Sequence, residues 1–428
     1  MFPETILRYR DDMSAAALGL GELSDEQWTA HFARFEPLPD NLTEPLALRY
    51  HGHQFRSYNP ELGDGRGFLF AQMRGPGDRL LDLGTKGSGQ TPYSRRGDGR
   101  LTLLGGVREV LATRYLEHLG VNTSRSFSLV ETGEALVRGD EPSPTRSSVL
   151  VRLSHSHIRF GTFQRLMFFE DAGGMERLVA YCTRHFYPGA EGAVEMFRGV
   201  LAASADTVAS WMAAGFVHGV MNTDNMNITG ESFDYGPYRF LPHLDPNFTA
   251  AYFDHSGLYS FARQPETMAW NLGQLAHALS LLGDGDALIE VLGTFAATYR
   301  ERLGHHVLRR LRLAPVEPDV DARTVAALFA WLEDSRADWP RAWWDLAGGT
   351  AQIPEDSPNA THYCGEAWEA LVGQLGRHVP LGEVDKSGGP ATLLYEEIGA
   401  VWAPIAERDD WSAFAGKLAT FQRARFGP

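Results

Sequence analysis

Two acidic residues and an asparagine in the middle of the chain have the chemical types that hold a divalent cation and accept a proton. Asp224 and Asn225 are adjacent, and Asp234 follows nine residues after Asn225. Carboxylate and amide oxygens suit Mg²⁺, which takes its other ligands from phosphate and water. We predict that Asn225 and Asp234 bind Mg²⁺, with Mn²⁺ as an alternative. Asp224 is then the carboxylate of its loop that can act as a base.

Asp234, and a histidine that precedes Asn225, also have simpler interpretations. The run 234–237, Asp-Tyr-Gly-Pro, is good turn chemistry, so Asp234 could be an exposed turn residue. His218 lies seven residues before Asn225, and we interpret it as a core histidine that orients the loop backbone.

A glycine-rich segment and a lysine–glutamate pair earlier in the chain are suited to phosphate. Gly63 and Gly65 precede Arg66, and the backbone N–H groups of such a segment can approach phosphate oxygens because no Cβ intervenes. Lys86 ends a strand-like run 20 residues after Arg66, and Glu109 lies in a helical pattern 23 residues further on.

Each of these features has a less specific alternative. Glycine-rich turns are common, and Lys86 could belong to the turn at 86–89. Glu109 could lie on a solvated helix face, although its position on the same face as Ala112 and Leu116 favours a partly buried glutamate with a partner.

The order of these features is that of the protein kinases. Kinases carry a glycine-rich loop, a strand lysine, a helix glutamate, a His-Arg-Asp-x-x-x-x-Asn loop and an Asp-Phe-Gly motif. His218 and Asn225 have the catalytic-loop spacing, but Val220 replaces the catalytic aspartate. The residues alone therefore indicate a kinase-like protein without the usual base, and Asp224 as its replacement.

The elements that must position these residues change character along the chain. Residues 1–60 are predicted as an N-terminal cap or arm with a short helix near 25–35. Residues 61–160 are predicted as a β-rich lobe with one embedded helix, which is ended by Gly120. The predicted strands of this lobe are 68–73, 80–86, 127–131, 135–138 and 148–153.

The second half is predicted to be helical. Apolar stripes at 197–212 (ended by Gly215), 268–282 and 288–303 belong to a helical lobe over 161–304, which a helical, Trp-rich region follows over 305–428. Strands followed by helices indicate an α+β chain, here with a protein-kinase-like two-lobed fold and a site between the lobes. The late tryptophans are interpreted as core filler; a substrate-selecting or lobe-bracing role is the alternative.

The overall composition bounds the partners. The 428 residues include 39 Lys and Arg and 54 Asp and Glu, a net charge of −15. This sign argues against nucleic acid and against an anionic membrane surface as partners. The chain lacks 18 consecutive apolar residues and an obvious leader, and Cys182 and Cys364 are expected to be unpaired thiols. We therefore expect a cytoplasmic protein. The pairs His51 with His53 and His155 with His157 lack further ligands for structural zinc.

Taken together, the motifs resemble the selenoprotein O family of protein adenylyltransferases, an atypical pseudokinase group. The resemblance covers roughly residues 45–285 and rests on the segments 50–55, 62–66, 86–95, 97–100, 107–109, 158–161, 218–226, 234–237 and 264–265. It implies that ATP binds flipped relative to ordinary kinases. AMP would then pass to Ser, Thr or Tyr hydroxyls of other proteins, or of the protein itself, with release of pyrophosphate.

The resemblance also implies roles for individual residues. Nucleotide contacts are implied for Gly63, Gly65, Arg66, Lys86, Asp98, Gly99, Glu109 (through Lys86), Arg152, Arg159 and Asp234. Arg152 and Arg159 would clamp the phosphates through their planar donor groups. Asn225 and Asp234 would hold Mg²⁺, and Asp224 would accept the proton of the attacking hydroxyl.

Two other functions remain as alternatives. One is a phosphotransferase that uses the γ-phosphate, against which Val220 argues. The other is a catalytically silent ATP-binding scaffold, against which the joint presence of Lys86, Asp224, Asn225 and Asp234 argues.

Overall fold

The computed structural model describes residues 2–139 and 141–423 and has a mixed α+β structure. Within these residues the strands are Ile6–Arg10 (β1), Gly52–Gln54 (β2), Ser57–Asn59 (β3), Leu69–Arg74 (β4), Leu80–Lys86 (β5), Leu101–Thr102 (β6), Arg125–Leu136 (β7), Thr145–Ser154 (β8), Phe216–Val217 (β9) and Arg239–Phe240 (β10). The α-helices are Asp12–Ala17 (α1), Asp25–Phe32 (α2), Leu103–His118 (α3), Phe160–Phe168 (α4), Ala172–His185 (α5), Gly192–Ala214 (α6), Gln264–Leu279 (α7), Gly285–Gly293 (α8), Phe295–Arg310 (α9), Pro318–Ser335 (α10), Trp339–Leu346 (α11), Glu366–Leu375 (α12), Tyr395–Arg408 (α13) and Ser412–Arg423 (α14).

An antiparallel sheet forms the first half, with the strand order β1-β7-β8-β5-β4 and with β6 on the remaining part of β8. The register pairs Lys86 with Leu150 and Gly84 with Arg152. Side chains two residues apart on a strand share a face, so Lys86 and Arg152 project to the same side of the sheet. This register brings together two residues that lie 66 positions apart in the sequence.

One predicted feature of the sheet is wrong. The sequence predicted separate strands at 127–131 and 135–138, whereas the structure has the single strand β7. Its pairing with β8 shifts between Glu131 and Ala135, where Gly133 has a φ of 72°. The turn-forming residues therefore make a bulge within one strand, because β8 continues to pair on both sides of it.

The N-terminal segment supplies the edge strand β1, which pairs with β7. The predicted short helix is α2, and it begins at a capping box in which the backbone N–H of Gln27 donates to Ser24 Oγ at 3.2 Å. Trp28 of this helix is fully buried and stacks on Phe127 of β7, with 4.9 Å between ring centroids. The segment thus packs against the sheet.

The helical half follows the predicted stripes with one difference. Helix α6 ends at Gly215, which has a φ of 69°, as predicted. The stripe over 288–303 was predicted as one helix, but α8 ends at Gly293 and α9 begins at Phe295. Gly and Thr at 293 and 294 are weak helix formers, which explains the interruption.

The C-terminal region has two structural roles. Trp331, Trp339 and Trp343 expose at most 3% of their surface and fill a core with α10, α11 and α12, which confirms the core-filler interpretation for these three. Helices α13 and α14 instead return to α3. There Phe421 packs on Tyr115, with 4.9 Å between ring centroids.

Two further contacts tie this region to α3. The Tyr115 hydroxyl donates to the carbonyl oxygen of Ala391 at 3.0 Å, and His118 Nδ1 lies 2.9 Å from the carbonyl oxygen of Phe421. Since α3 also carries Glu109, helices α13 and α14 support the helix that holds Lys86.

Two further predictions concern the cysteines and the possibility of membrane-spanning helices. Cys182 is buried and Cys364 is exposed, and both are free thiols, as predicted. Within residues 2–139 and 141–423, none of the helices combines the length and the apolarity that crossing a membrane requires.

Replacement of Phe421 by alanine tests whether the C-terminal helices α13 and α14 support α3. Phe421 is 3% exposed, so Phe421→Ala should lower the free energy of unfolding by about 3 kcal/mol through lost burial and a new cavity. Urea denaturation measures the change. Val379→Ala, at a side chain that is 69% exposed, is the control and should change stability by no more than about 0.5 kcal/mol. Equal effects of the two substitutions would contradict the proposed support.

Candidate nucleotide and metal site

The carboxylate of Asp234 is surrounded by three cationic side chains. Its Oδ1 lies 3.2 Å from Lys86 Nζ and 3.1 Å from Arg152 Nη1, and its Oδ2 lies 3.2 Å from Arg159 Nη1. Burial works in the opposite direction, but the charges of Lys86, Arg152 and Arg159 hold the pKa of Asp234 well below its usual range. Asp234 is therefore an ionised residue of the site, not an exposed turn residue.

Lys86 forms a second ion pair, with Glu109 of α3. Both side chains are almost fully buried, at 6% and 2% exposure, so Glu109 does not lie on a solvated helix face. Lys86 is the last residue of β5, in the strand and not in the turn that follows. Helix α3 thus fixes the ammonium group that contacts Asp234.

The glycine-rich segment lies directly over the end of β5. The backbone N–H of Gly87 donates to the carbonyl oxygen of Arg66 at 2.6 Å. A Cβ at Gly67 would lie 1.9 Å from the carbonyl oxygen of Thr85, so only glycine allows this close approach. The segment and the cations line one pocket, formed by Tyr50, Asp64, Gly65, Arg66, Gly67, Phe68, Thr85, Lys86, Arg152, His157, Arg159 and Asp234.

Gly63 has a different environment from Gly65. It pairs with Arg49 in an isolated β-bridge, and a Cβ on it would meet the ring of Tyr93 at 2.5 Å. Gly63 therefore allows the ring of Tyr93 to pack closely against the segment, whereas Gly65 and Arg66 line the pocket.

Arg159 joins the parts of the site. Its Nη1 donates to the carbonyl oxygen of Asp224 at 2.7 Å, and its Nη2 lies 3.4 Å from Asp64 Oδ1. Its guanidinium carbon lies 4.7 Å from the ring centroids of both Tyr50 and Phe233. One side chain thus contacts the glycine-rich segment, the Asp224 loop and Asp234.

His218 connects the two loops of the site. It is 1% exposed, and its Nε2 lies 3.0 Å from the carbonyl oxygen of Phe233. The backbone N–H of Val220 lies 3.4 Å from its Nδ1. Burial lowers the pKa of His218, which favours the neutral ring with Nε2 as donor and Nδ1 as acceptor. His218 therefore orients the loop backbone, as the sequence suggested.

Asp224 and Asn225 lie at the end of the loop that His218 orients. Burial raises the pKa of Asp224 to about 6, although the charge of Arg159 acts in the opposite direction. Its Oδ1 is buried without a hydrogen-bond partner among the described residues. Asn225 donates from Nδ2 to the carbonyl oxygen of Val220 at 2.9 Å, which leaves its amide oxygen as the group that can bind a cation.

The donor set fits Mg²⁺ bound together with phosphate. Across residues 2–139 and 141–423, no group of three His, Cys, Asp or Glu side chains is arranged to hold a metal ion. Asp234 supplies an ionised carboxylate and Asn225 an amide oxygen, both hard ligands. These two residues would hold Mg²⁺, which at nucleotide sites takes its other ligands from phosphate and water.

Comparisons with known proteins identify the family of the chain. Residues 1–422 match the family model described as protein adenylyltransferase SelO. The chain belongs to the SelO family. It is 45% identical to the protein nucleotidyltransferase YdiU of Gloeobacter violaceus, over 96% of this chain and 89% of the relative. It is 43% identical to the YdiU of a Synechocystis species, over 96% and 92% of the two chains. A YdiU from Vibrio cholerae is 40% identical over 69% of this chain and 61% of the relative.

Two residues with implied nucleotide contacts lie apart from the pocket of this SelO family member. Asp98 is half-exposed and forms an ion pair with Arg138 at 2.7 Å. Gly99 has a φ of 72°, and a Cβ on it would lie 2.2 Å from the carbonyl carbon of Gly89. Neither lines the pocket around Lys86. The contacts of Asp98 and Gly99 stabilise the conformation of the segment 88–100. A contact of either residue with nucleotide stays a prediction.

The sequence reasoning missed Tyr50, Asp64 and His157 as lining residues. Tyr50 lies beside His51 and Asp64 between Gly63 and Gly65, inside motifs of the sequence described above. Their position next to those motifs was the available signal. His157 carried only a rejected zinc interpretation. In the structure its backbone N–H and its Nδ1 contact Asp82 Oδ2, at 2.9 and 3.3 Å.

A glycine substitution tests the close approach of the loop to β5. Gly67→Ala should lower the thermal unfolding midpoint and weaken ATP binding, because the new methyl group would lie 1.9 Å from a backbone oxygen that cannot move freely. Gly399→Ala in α13 is the matched control, since open space surrounds that position and alanine favours a helix. Calorimetry of both variants measures the two effects. An unchanged midpoint and ATP affinity in Gly67→Ala would show that the loop lies elsewhere.

Proposed function

We propose that the chain transfers AMP from ATP to Ser, Thr or Tyr hydroxyls of proteins, or of the chain itself, and releases pyrophosphate. Membership of the SelO family supports the reaction class. The observation that carries the proposal is the convergence of Lys86, Arg152 and Arg159 on the ionised Asp234, next to a loop that presents Asp224. Such a group of cations suits a triphosphate.

The residues divide the work of an in-line displacement at phosphorus. A bond forms between the acceptor oxygen and the α-phosphorus, and the bond from that phosphorus to the leaving pyrophosphate oxygen breaks. Arg152 and Arg159 would neutralise charge on the phosphates, and Lys86, held by Glu109, would do the same from the sheet. Mg²⁺ on Asn225 and Asp234 would supply further charge neutralisation. Asp224 would take the proton of the hydroxyl.

The properties of Asp224 suit this role. Its buried Oδ1 has no hydrogen-bond partner among the described residues, and its pKa of about 6 makes it ionised at neutral pH. A general base works best with a pKa near the working pH. Val220, in the position of the kinase base, has an aliphatic side chain that cannot accept a proton.

The protein-kinase-like two-lobed fold is part of the same proposal. It is supported by a sheet with the embedded helix α3 that precedes a helical half, and by a pocket that combines sheet residues with Asp234 of the later loops. The division at 1–60, 61–160, 161–304 and 305–428 and the cytoplasmic location stay predictions.

Labelled ATP tests the reaction directly. Incubation of the protein and a protein acceptor with Mg²⁺ and ATP should transfer label from the α-phosphate and none from the γ-phosphate, because pyrophosphate leaves. Autoradiography of the separated proteins measures both. Label from the γ-phosphate would establish the phosphotransferase, and no transfer from either position, with ATP still bound, would establish the silent scaffold.

The pH dependence of AMP transfer tests Asp224. The burial-raised pKa of about 6 means that Asp224 is protonated below that pH, so the transfer rate should rise as pH increases through 6 and level off above it. Initial rates with α-labelled ATP between pH 5 and pH 8 give the profile. Asp224→Ala should lower transfer by at least about 100-fold and retain ATP binding. Transfer by Asp224→Ala at the original rate would show that Asp224 is not the base.

A further inference from the structure

Exposed aromatic side chains lie together beside the loop that carries Asp224. Phe55, Tyr252 and Phe253 expose 36%, 79% and 43% of their surface. The ring centroids of Phe55 and Phe253 are 5.9 Å apart, and those of Tyr252 and Phe253 are 5.1 Å apart. We call these three residues the aromatic patch. Single exposed apolar residues are ordinary, but contiguous ones are typical of interaction surfaces.

Hydrogen bonds fix the aromatic patch relative to Asp224. The backbone N–H of Phe55 donates to Asn222 Oδ1 at 3.1 Å, and the Tyr259 hydroxyl donates to the same oxygen at 2.7 Å. The ring of Phe55 packs on Tyr259, with 4.9 Å between centroids. Asn222 lies two residues before Asp224 in the same loop. The loop that presents the proposed base therefore also holds the Phe55 end of the patch.

Phe55 lies at the tip of a β-hairpin, and the backbone conformation there is unusual for the residue types present. Strands β2 and β3 are joined by Phe55 and Arg56, which have φ values of 49° and 63°. Two-residue turns of this kind favour Asn and Gly, because a Cβ is strained at positive φ. A large apolar residue at this position is unfavourable for the turn, and such strain is often found at functional sites.

The first residue of this hairpin, Gly52, lies next to the side chain of Asp224. A Cβ on Gly52, the first residue of β2, would lie 3.1 Å from Asp224 Oδ1. Phe55 follows three residues later, which corresponds to roughly 10 Å along a strand. An extended polypeptide with its hydroxyl at Asp224 would cover the same length in about three residues.

We propose that the aromatic patch binds the acceptor polypeptide, through a large apolar side chain two to four residues from the hydroxyl that receives AMP. This deepens the proposed function and rests on it. Aromatic side chains are typical anchors in polypeptide interfaces. A shallow groove continues from the patch. Its lining includes polar side chains that could form hydrogen bonds with a peptide backbone, among them Thr249, Tyr252, His255 and Arg263.

Peptide selection tests the proposal. The probe is a library of 13-residue peptides with a central Ser, Thr or Tyr and degenerate flanking positions, labelled with α-labelled ATP and Mg²⁺. The wild-type protein should enrich Phe, Tyr, Trp, Leu, Ile or Met at one position two to four residues from the hydroxyl, on one side only. The double variant Tyr252→Ala with Phe253→Ala should lose this enrichment. It should also show a KM for the selected peptide that is roughly tenfold higher, with little change in kcat.

Controls separate binding of the acceptor from folding and from ATP binding. Tyr252 and Phe253 are exposed, so the double variant should keep the unfolding midpoint and the ATP affinity of the wild type. Ile289→Ala removes another exposed apolar side chain, on α8, and should leave peptide selection unchanged. Phe55→Ala is a second patch variant and should act in the same direction as the double variant.

The outcomes are distinguishable. Labelled peptides without an apolar preference, or the same preference in wild type and double variant, would overturn the role of the patch and leave the proposed function intact. Absence of α-label from both the peptides and the protein itself would remove the proposed function, and the patch proposal with it.

Discussion

The carboxylate of Asp234 and the three cations around it are the interaction on which the rest of the site depends. Lys86 comes from β5, Arg152 from β8 and Arg159 from the residue before α4. Without the carboxylate, three positive charges would lie together with little solvent, which is costly. Asp234 itself has a φ of 67°, a region that non-glycine residues seldom adopt, so its conformation is maintained by these ion pairs.

The same charges are the basis on which we propose that nucleotide and metal bind here. Glu109 and Asp64 offset part of the positive charge, but Arg152 and Arg159 each have a buried Nε without a hydrogen-bond partner among the described residues. Phosphate oxygens are natural partners for such guanidinium donors. The site is held from two further directions. His218 links the Asp224 loop to the carbonyl of Phe233, the residue before Asp234, and Glu109 holds Lys86 from α3. The packing of α13 and α14 on α3 then connects the end of the chain to the position of Glu109.

The proposed phosphate-binding and acceptor-binding residues belong to different parts of the chain that meet at Asp224. Its backbone carbonyl accepts from Arg159, on the phosphate side, whereas its side chain lies under Gly52 at the start of the hairpin. Asn222, in the same loop, accepts hydrogen bonds from the backbone of Phe55 and from Tyr259, on which the Phe55 ring packs. A short loop can thus position the base relative to both reactants, which is the main requirement for an in-line displacement.

The sequence by itself determined the chemical types and their order. Lys86, Glu109 and Asp234, which contact one another in the structure, could be selected because motif spacing reports local backbone geometry. The helix α3 could be located because apolar periodicity reports a buried face. The role of Asn225 as a metal ligand stays a prediction. The end of α6 at Gly215 was readable for a similar local reason, since glycine tolerates positive φ.

Only the tertiary structure decided which of these residues meet. The pairing of Gly84 with Arg152 follows from the sheet register, which depends on contacts between distant strands. The bulge in β7 appears because β8 pairs on both sides of it. The break between α8 and α9 differs from these cases, because its cause, two weak helix formers at 293 and 294, is local and present in the sequence. The pairing of Asp98 with Arg138, and the assembly of Phe55, Tyr252 and Phe253 into one surface, join residues that lie about 40 to 200 positions apart. Local patterns carry no information about such distances, because the free energy that fixes them comes from packing and charge between separate elements.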